Sequence, residues 1–139
     1  MTAERRKEMM EKKNDAPDFE RYNGIRIVDV DDGFCAVEVE MNPNSLNIWG
    51  IPHGGLLYTM ADLAAGYAVV ATTGKGTVTT SGSMNFLRTT YPPGKLRAEA
   101  RLDYAGKSTS FYRVEVRDDA KRLLATASFT MHHIEKKSY

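Results

Sequence analysis

The sequence predicts an α+β fold in which one long central helix is wrapped by a curved antiparallel β-sheet. Residues 54–73 carry a single charged side chain, Asp62, and spread their apolar residues around the whole helical circumference, so the helix has to be covered on several sides. The C-terminal half holds three runs in which apolar and polar residues alternate with a period of two, the mark of strands with one face in the core and one in water. The turns between these runs are short enough for antiparallel hairpins.

A length of 139 residues fits one domain. Apolar residues at 42% and charged residues at 27% are ordinary for a globular chain. Nineteen basic against eighteen acidic side chains leave a net charge of +1, which supplies no field to draw in nucleic acid or an anionic membrane. Cys35 is the only cysteine and cannot form an intrachain disulfide, and no basic segment followed by an apolar one marks a signal peptide. The cytoplasm is the expected compartment.

Residues 1–17 form a charged extension. Arg5, Arg6, Lys7, Lys12 and Lys13 are interleaved with Glu4, Glu8 and Glu11 around Met9 and Met10, which predicts a short amphipathic helix ending before Asn14. The mixed signs suit a solvated face better than a nucleic-acid arm. Residues 18–139 make the domain proper. After the turn at Asp31-Asp32-Gly33, Cys35, Val37, Val39 and Met41 alternate with Ala36, Glu38 and Glu40 as a half-buried strand.

The apolar segment Gly54 to Thr73 is long enough to span a membrane. It is rich in Gly, Ala and Thr, however, and a carboxylate at a bilayer centre costs about 2.5 to 3.5 kcal/mol, so it reads as a buried helix. A strand over Val78 to Arg88 follows, closed by Pro92-Pro93-Gly94. Leu96, Ala98, Ala100, Leu102 and Tyr104 then alternate with charged residues. Tyr112, Val114 and Val116 repeat the pattern, and Leu123, Ala125, Ala127, Phe129 and Met131 make the third run. A long helix held in one curved antiparallel sheet is the hotdog architecture. One sheet covers only part of such a helix, so a second copy is expected to cover the rest, giving a homodimer and, from two dimers, a homotetramer.

Asp62 lies two turns inside the helix, too deep to be a cap, and carboxylates are rarely buried unless paired or used. It suits a general base or a carboxylate nucleophile, and equally a structural Asp bonded to a nearby strand. Gly54 and Gly55 open the helix, where glycine costs about 1 kcal/mol each relative to alanine. Close approach of a ligand to bare N–H groups would explain both, since the helix start suits a developing oxyanion. A tight turn against the sheet explains them too, and His53 beside them is as readily a structural hydrogen-bonder.

Three pieces then stand together: Asn47-x-x-Gly50-x-x-His53-Gly54-Gly55, Met60-Ala61-Asp62 on the helix, and Asn85-Phe86-Leu87-Arg88. From about Phe19 to His133 the chain resembles the PaaI-type branch of the hotdog-fold acyl-CoA thioesterases. That resemblance implies hydrolysis of an acyl-CoA thioester, with Asp62 as nucleophile or general base. It implies the Gly54 amide, with Gly55 beside it, polarising the carbonyl, and Asn47 placing water or thioester. His53 joins this set, as does a strand hydroxyl from the facing subunit, for which Ser81 is the best match and Ser83 the next. Arg88 and the turn Gly106-Lys107-Ser108 are implied to meet the coenzyme A phosphates, with Ser83 and Asn85 lining the substrate site. Thr79, Ser81, Ser83 and Asn85 are expected on one uncharged polar strand face.

The Gly106-Lys107-Ser108 turn is not a Walker phosphate loop, because the upstream glycine is missing and a strand follows. His132 and His133 are adjacent on a strand and point to opposite faces, so no metal site is expected. Nor is any cofactor beyond the coenzyme A of the substrate. Two alternatives remain: a hotdog dehydratase or hydratase, against which His53 is followed by Gly-Gly and not by a Phe-Pro-Gly type of loop, and a non-catalytic acyl-CoA binding protein. In the latter, the segment before Asp18 is too short for a helix-turn-helix domain. Tyr58, Tyr67 and Trp49 suit an aromatic acyl group and core packing equally.

Overall fold

The computed structural model describes residues 1–138, with side chains through residue 135; Tyr139, the last residue of the expected domain, lies outside the described residues. The helices are α1 (Ala3–Asp15), α2 (Phe19–Tyr22) and α3 (Gly54–Thr73). The strands are β1 (Arg26–Asp31), β2 (Phe34–Glu40), β3 (Lys75–Phe86), β4 (Lys95–Ala105), β5 (Thr109–Asp118) and β6 (Leu123–Ser138). They form one antiparallel sheet in the order β1-β2-β4-β5-β6-β3.

The bounds of α3 coincide with the apolar segment because both ends are punctuated. His53 caps the start. At the other end Gly74 takes the left-handed conformation, φ 71°, and its N–H closes on the Val70 carbonyl. By length and composition α3 could cross a membrane. It is instead the core helix, packed against all six strands.

Two cross-strand rows form the trough that receives it. Cys35, Ala100, Val114 and Ala127 stand side by side, as do Val37, Ala98, Val116 and Ala125, all buried. Alanine on β4 and β6 keeps the sheet floor low, and the buried α3 residues Ala61, Ala64, Ala65 and Ala68 exploit this for close approach. The outer face is charged: Arg97 pairs with Glu38 and Glu99, each at 2.9 Å.

The first helix differs from expectation. It runs on to Asp15, and its Met9 and Lys13 are buried, so α1 packs on β1 instead of standing free. Asn14 explains the longer helix. Its amide donates to the Ile27 carbonyl at 2.9 Å and accepts the Ile27 N–H at 2.8 Å, so its side chain is satisfied by strand β1 and has no need of a local turn. Lys13 Nζ lies 2.8 Å from Asp18, the cap of α2.

At the opposite edge, β3 starts at Lys75 and ends at Phe86, shifted toward the N-terminus from the expected Val78 to Arg88. Val78 and Phe86 are exposed there. On α3 the sheet covers one side, while Gly55, Tyr58, Asp62 and Gly66, spaced about one turn apart, remain partly or fully open.

Candidate active site

Asp62 projects from α3 toward β3, half-buried, into a cleft of about 150 Å³ lined by Glu20, Gly66, Tyr67, Thr77 and Thr79. Its Oδ1 accepts a hydrogen bond from Thr79 Oγ1 at 2.5 Å. A β-bulge turns Thr79 inward. Thr79 pairs with Met131 but Ser81 pairs with Thr130, leaving Thr80 as the extra residue.

The bulge splits the polar row expected on this strand. Opposite residues of an antiparallel pair point to the same face. Gly82 and Met84 face buried Phe129 and Ala127 on the core side, whereas Ser81, Ser83 and Asn85 sit with Thr130, Ser128 and Thr126 on the other. Ser83 and Asn85 line an outer groove with Arg101 and Arg113. Within one chain the hydroxyl at Asp62 is therefore that of Thr79, not Ser81 or Ser83. Thr79 was among the strand hydroxyls visible in the sequence, and only the bulge singles it out.

A second cleft, of about 440 Å³, opens beside the start of α3 between Asn47, Pro52, Gly54, Leu57, Phe86 and Arg88. Asn47 organises the preceding loop: its Oδ1 accepts the Trp49 and Ile51 N–H groups at 2.9 and 3.4 Å. The donor half of its amide is thereby left without an acceptor among the described residues. At the helix start, the Gly55 N–H donates to His53 Nδ1 at 2.8 Å and the Leu56 N–H to the His53 carbonyl at 2.9 Å. The Gly54 N–H has no acceptor among the described residues. Glycine at 55 leaves room for the His53 ring, since an added Cβ would stand 3.0 Å from Nδ1, a tight contact that the ring would have to relieve by moving.

The two clefts share no lining residue. Gly54 and Asp62 are eight positions apart on one helix, about 12 Å along its axis at roughly 1.5 Å per residue. Lys107 and Ser108 belong to neither cleft. Their turn is held by His133, whose N–H donates to the Ser108 carbonyl at 2.8 Å and whose Nδ1 lies 3.2 Å from the Lys107 carbonyl, with Ser110 Oγ 2.6 Å from Nε2. Burial pushes the Cys35 thiol far up, so it is no nucleophile. Among the described residues no group of three or more His, Cys, Asp or Glu is placed to hold a metal ion.

The thioesterase superfamily model matches residues 50–125, more than half of the chain. The acyl-coenzyme A thioesterase PaaI of Escherichia coli K12 is 31% identical over 111 residues, which is 80% of this chain and 79% of that protein. The structure of the E. coli PaaI protein from the phenylacetic acid degradation operon superposes with a TM-score of 0.83 at 30% identity, covering 95% of this chain and 93% of that one. A Streptococcus mutans UA159 protein bound to acetyl CoA superposes with a TM-score of 0.80 at 28% identity, covering 90% and 100%. A shared topology alone would show only a fold, but the sequence match runs through the helix that carries Asp62 and the turn that carries His53 and Gly54, and on that basis the chain belongs to the thioesterase superfamily, as a hotdog-fold protein of the PaaI-like acyl-CoA thioesterase kind.

Proposed function

We propose that the protein hydrolyses an acyl-CoA thioester to a free acid and coenzyme A, at a site shared by two copies of the chain. The observation that carries the reading is Asp62: a carboxylate deep in the core helix, open to a cleft and oriented by the Thr79 hydroxyl. Such a group is costly as mere structure and useful as a base or nucleophile. The PaaI thioesterase and the acetyl-CoA-bound relative supply the substrate class.

In this mechanism the thioester oxygen accepts the Gly54 N–H, where the positive end of α3 favours the charge that develops as the carbonyl carbon becomes tetrahedral. Asp62 either takes a proton from the attacking water or attacks the carbonyl carbon itself, and Thr79 fixes its orientation. If Asp62 acts as base, the water oxygen bonds to the carbonyl carbon, the C–S bond breaks and the proton held by Asp62 passes to the departing thiolate. If Asp62 attacks, the C–S bond breaks to leave an acyl–Asp62 anhydride, which water then hydrolyses to the free acid and the Asp62 carboxylate while the water's proton goes to the thiolate. Asn47, whose amide has a donor to spare, lines the same cleft as Gly54, and Arg88 lines it too, a cation available to a phosphate.

About 12 Å of helix axis lies between Gly54 and Asp62 in one chain, too far for both to touch one thioester. Tyr58 lies midway between them on the open stripe of α3. Two α3 helices crossing antiparallel near Tyr58 would set Asp62 of one chain against the partner's Gly54, and would join the two exposed β3 edges. We therefore assign a homodimer, with two dimers forming a homotetramer. Thiol release from a panel of short, long and aromatic acyl-CoAs tests the activity. Acyl-CoA binding with no thiol released from any member would transfer the protein to the binding-only class.

A further inference from the structure

Resting on the hydrolase reading above, we propose that His53 is a positioning residue: its ring takes the Gly55 N–H while its carbonyl takes that of Leu56, so that of the first three helical N–H groups only that of Gly54 is left for the thioester oxygen. The first turn of any helix has donors without intrahelical partners. Here they are Gly54, Gly55 and Leu56. His53 takes two of the three, Gly55 through Nδ1 at 2.8 Å and Leu56 through its carbonyl at 2.9 Å. It also begins the regular ladder, accepting the Leu57 N–H at 3.4 Å. Caps are usually Ser, Thr, Asp or Asn. Here an imidazole takes that place beside a glycine: a Cβ added at Gly55 would crowd the ring, at 3.0 Å from Nδ1 and 3.2 Å from Cε1.

Two consequences separate this role from that of a catalytic imidazole. A ring nitrogen that accepts from the backbone carries no proton, so the neutral ring holds its hydrogen on Nε2, and Nδ1 is not available as a base. The ring also stands on the other side of the helix start from the Gly54 cleft. It lines a separate cleft of about 290 Å³ with Phe19, Asn44, Leu56 and Thr59, and it is absent from the lining of the cleft that Gly54 shares with Asn47 and Arg88. His53 therefore acts on the thioester through the backbone it holds.

Three substitutions at this exposed position test the idea. His53→Asn places an oxygen where Nδ1 was, His53→Gln places its amide near the position of Nε2, and His53→Ala supplies neither. We expect kcat to fall at least tenfold in Ala and Gln with KM changed less than about threefold, since losing an oxyanion donor outright costs about 10² to 10³. Asn should recover kcat to within about threefold of the parent. Exchange of the Gly55 amide hydrogen should be slow in the parent and in Asn, and fast in Ala and Gln. Recovery by Gln but not Asn would overturn the proposal in favour of contact through Nε2. So would a Gly55 amide whose exchange ignores the Ala substitution. A parent that released no thiol from any acyl-CoA would defeat the hydrolase reading instead, and the exchange measurement would still decide the cap.

Discussion

Thr79 Oγ1 donates its hydrogen bond to Asp62 Oδ1 across 2.5 Å, tying the open edge strand of the sheet to the middle of its core helix. The bond engages Oδ1 and leaves Oδ2 without a hydrogen-bond partner among the described residues.

Replacing Asp62 by Asn keeps shape and polarity but removes the base and nucleophile. We expect a normally folded protein whose thiol release falls by about 10² to 10⁴. Near-parental turnover in that variant, on the best substrate of the panel, would refute the assignment.

Thr79→Val removes the donor at nearly constant volume. A hydrogen bond to a charged group is worth about 1.5 to 3 kcal/mol, so turnover should drop about 10- to 100-fold if that energy orients the carboxylate. Thr79→Ser, which keeps the hydroxyl, should lose less than Val. Near-parental turnover in Val with a loss in Ser would show that the methyl group, not the bond, matters.

Gly54→Pro tests the shared site. Proline is well tolerated at the first helical position, the preceding His53 already has an extended ψ of 135°, and the substitution deletes the N–H. The variant should fold and lose activity. Co-expression with Asp62→Asn should then restore activity, because a mixed dimer holds one intact pairing of Asp62 with Gly54. Random pairing puts recovery at about a quarter of the parental rate. No recovery in a purified mixed dimer, or an active monomer by light scattering at micromolar concentration, would rule the arrangement out.

A fourth prediction concerns stability. Burial would raise the Asp118 carboxyl, but hydrogen bonds from the Arg122 backbone and guanidinium, at 2.9 and 2.8 Å, more than offset it and hold the group below its ordinary value of 3.8. With the folded pKa depressed, the unfolded chain binds the proton first on acidification. This contribution is thus complete at neutral pH and fades as pH falls below about 4. Asp118→Asn should lower Tm at pH 7, and the gap to the parent should narrow in melts near pH 3. A gap independent of pH would point to lost packing.

What could be read in the sequence follows the apolar residues. The span of α3 was legible because Asp62 is the only charge in a 20-residue apolar segment, and β4, β5 and β6 because their apolar positions alternate with charged residues on the first two and with polar ones on the third. The face of β3 was not. From Thr79 to Ser83 small and polar residues occupy both faces, so no hydrophobic pattern fixes the register and a bulge leaves no trace. Finding Thr79 beside Asp62 required the β6 register, where Met131 and Thr130 straddle the extra residue. The spacing of Asp62 and Gly54 was legible in principle, since eight helical residues cannot converge on one carbonyl.

The Asn14 amide has a consequence beyond holding α1. By answering both the N–H and the carbonyl of Ile27, it occupies the outer rim of β1, and α1 lies across the same side. The sheet therefore has one rim already occupied from within its own chain and one, along β3, that can accept a neighbour. If two β3 rims meet as proposed, growth by strand addition would be self-limiting, because both remaining ends of the doubled sheet would be β1 rims. In the proposed dimer, the same hydrogen bonds that anchor a short helix would oppose further strand addition at the β1 rims, leaving faces for association beyond a pair.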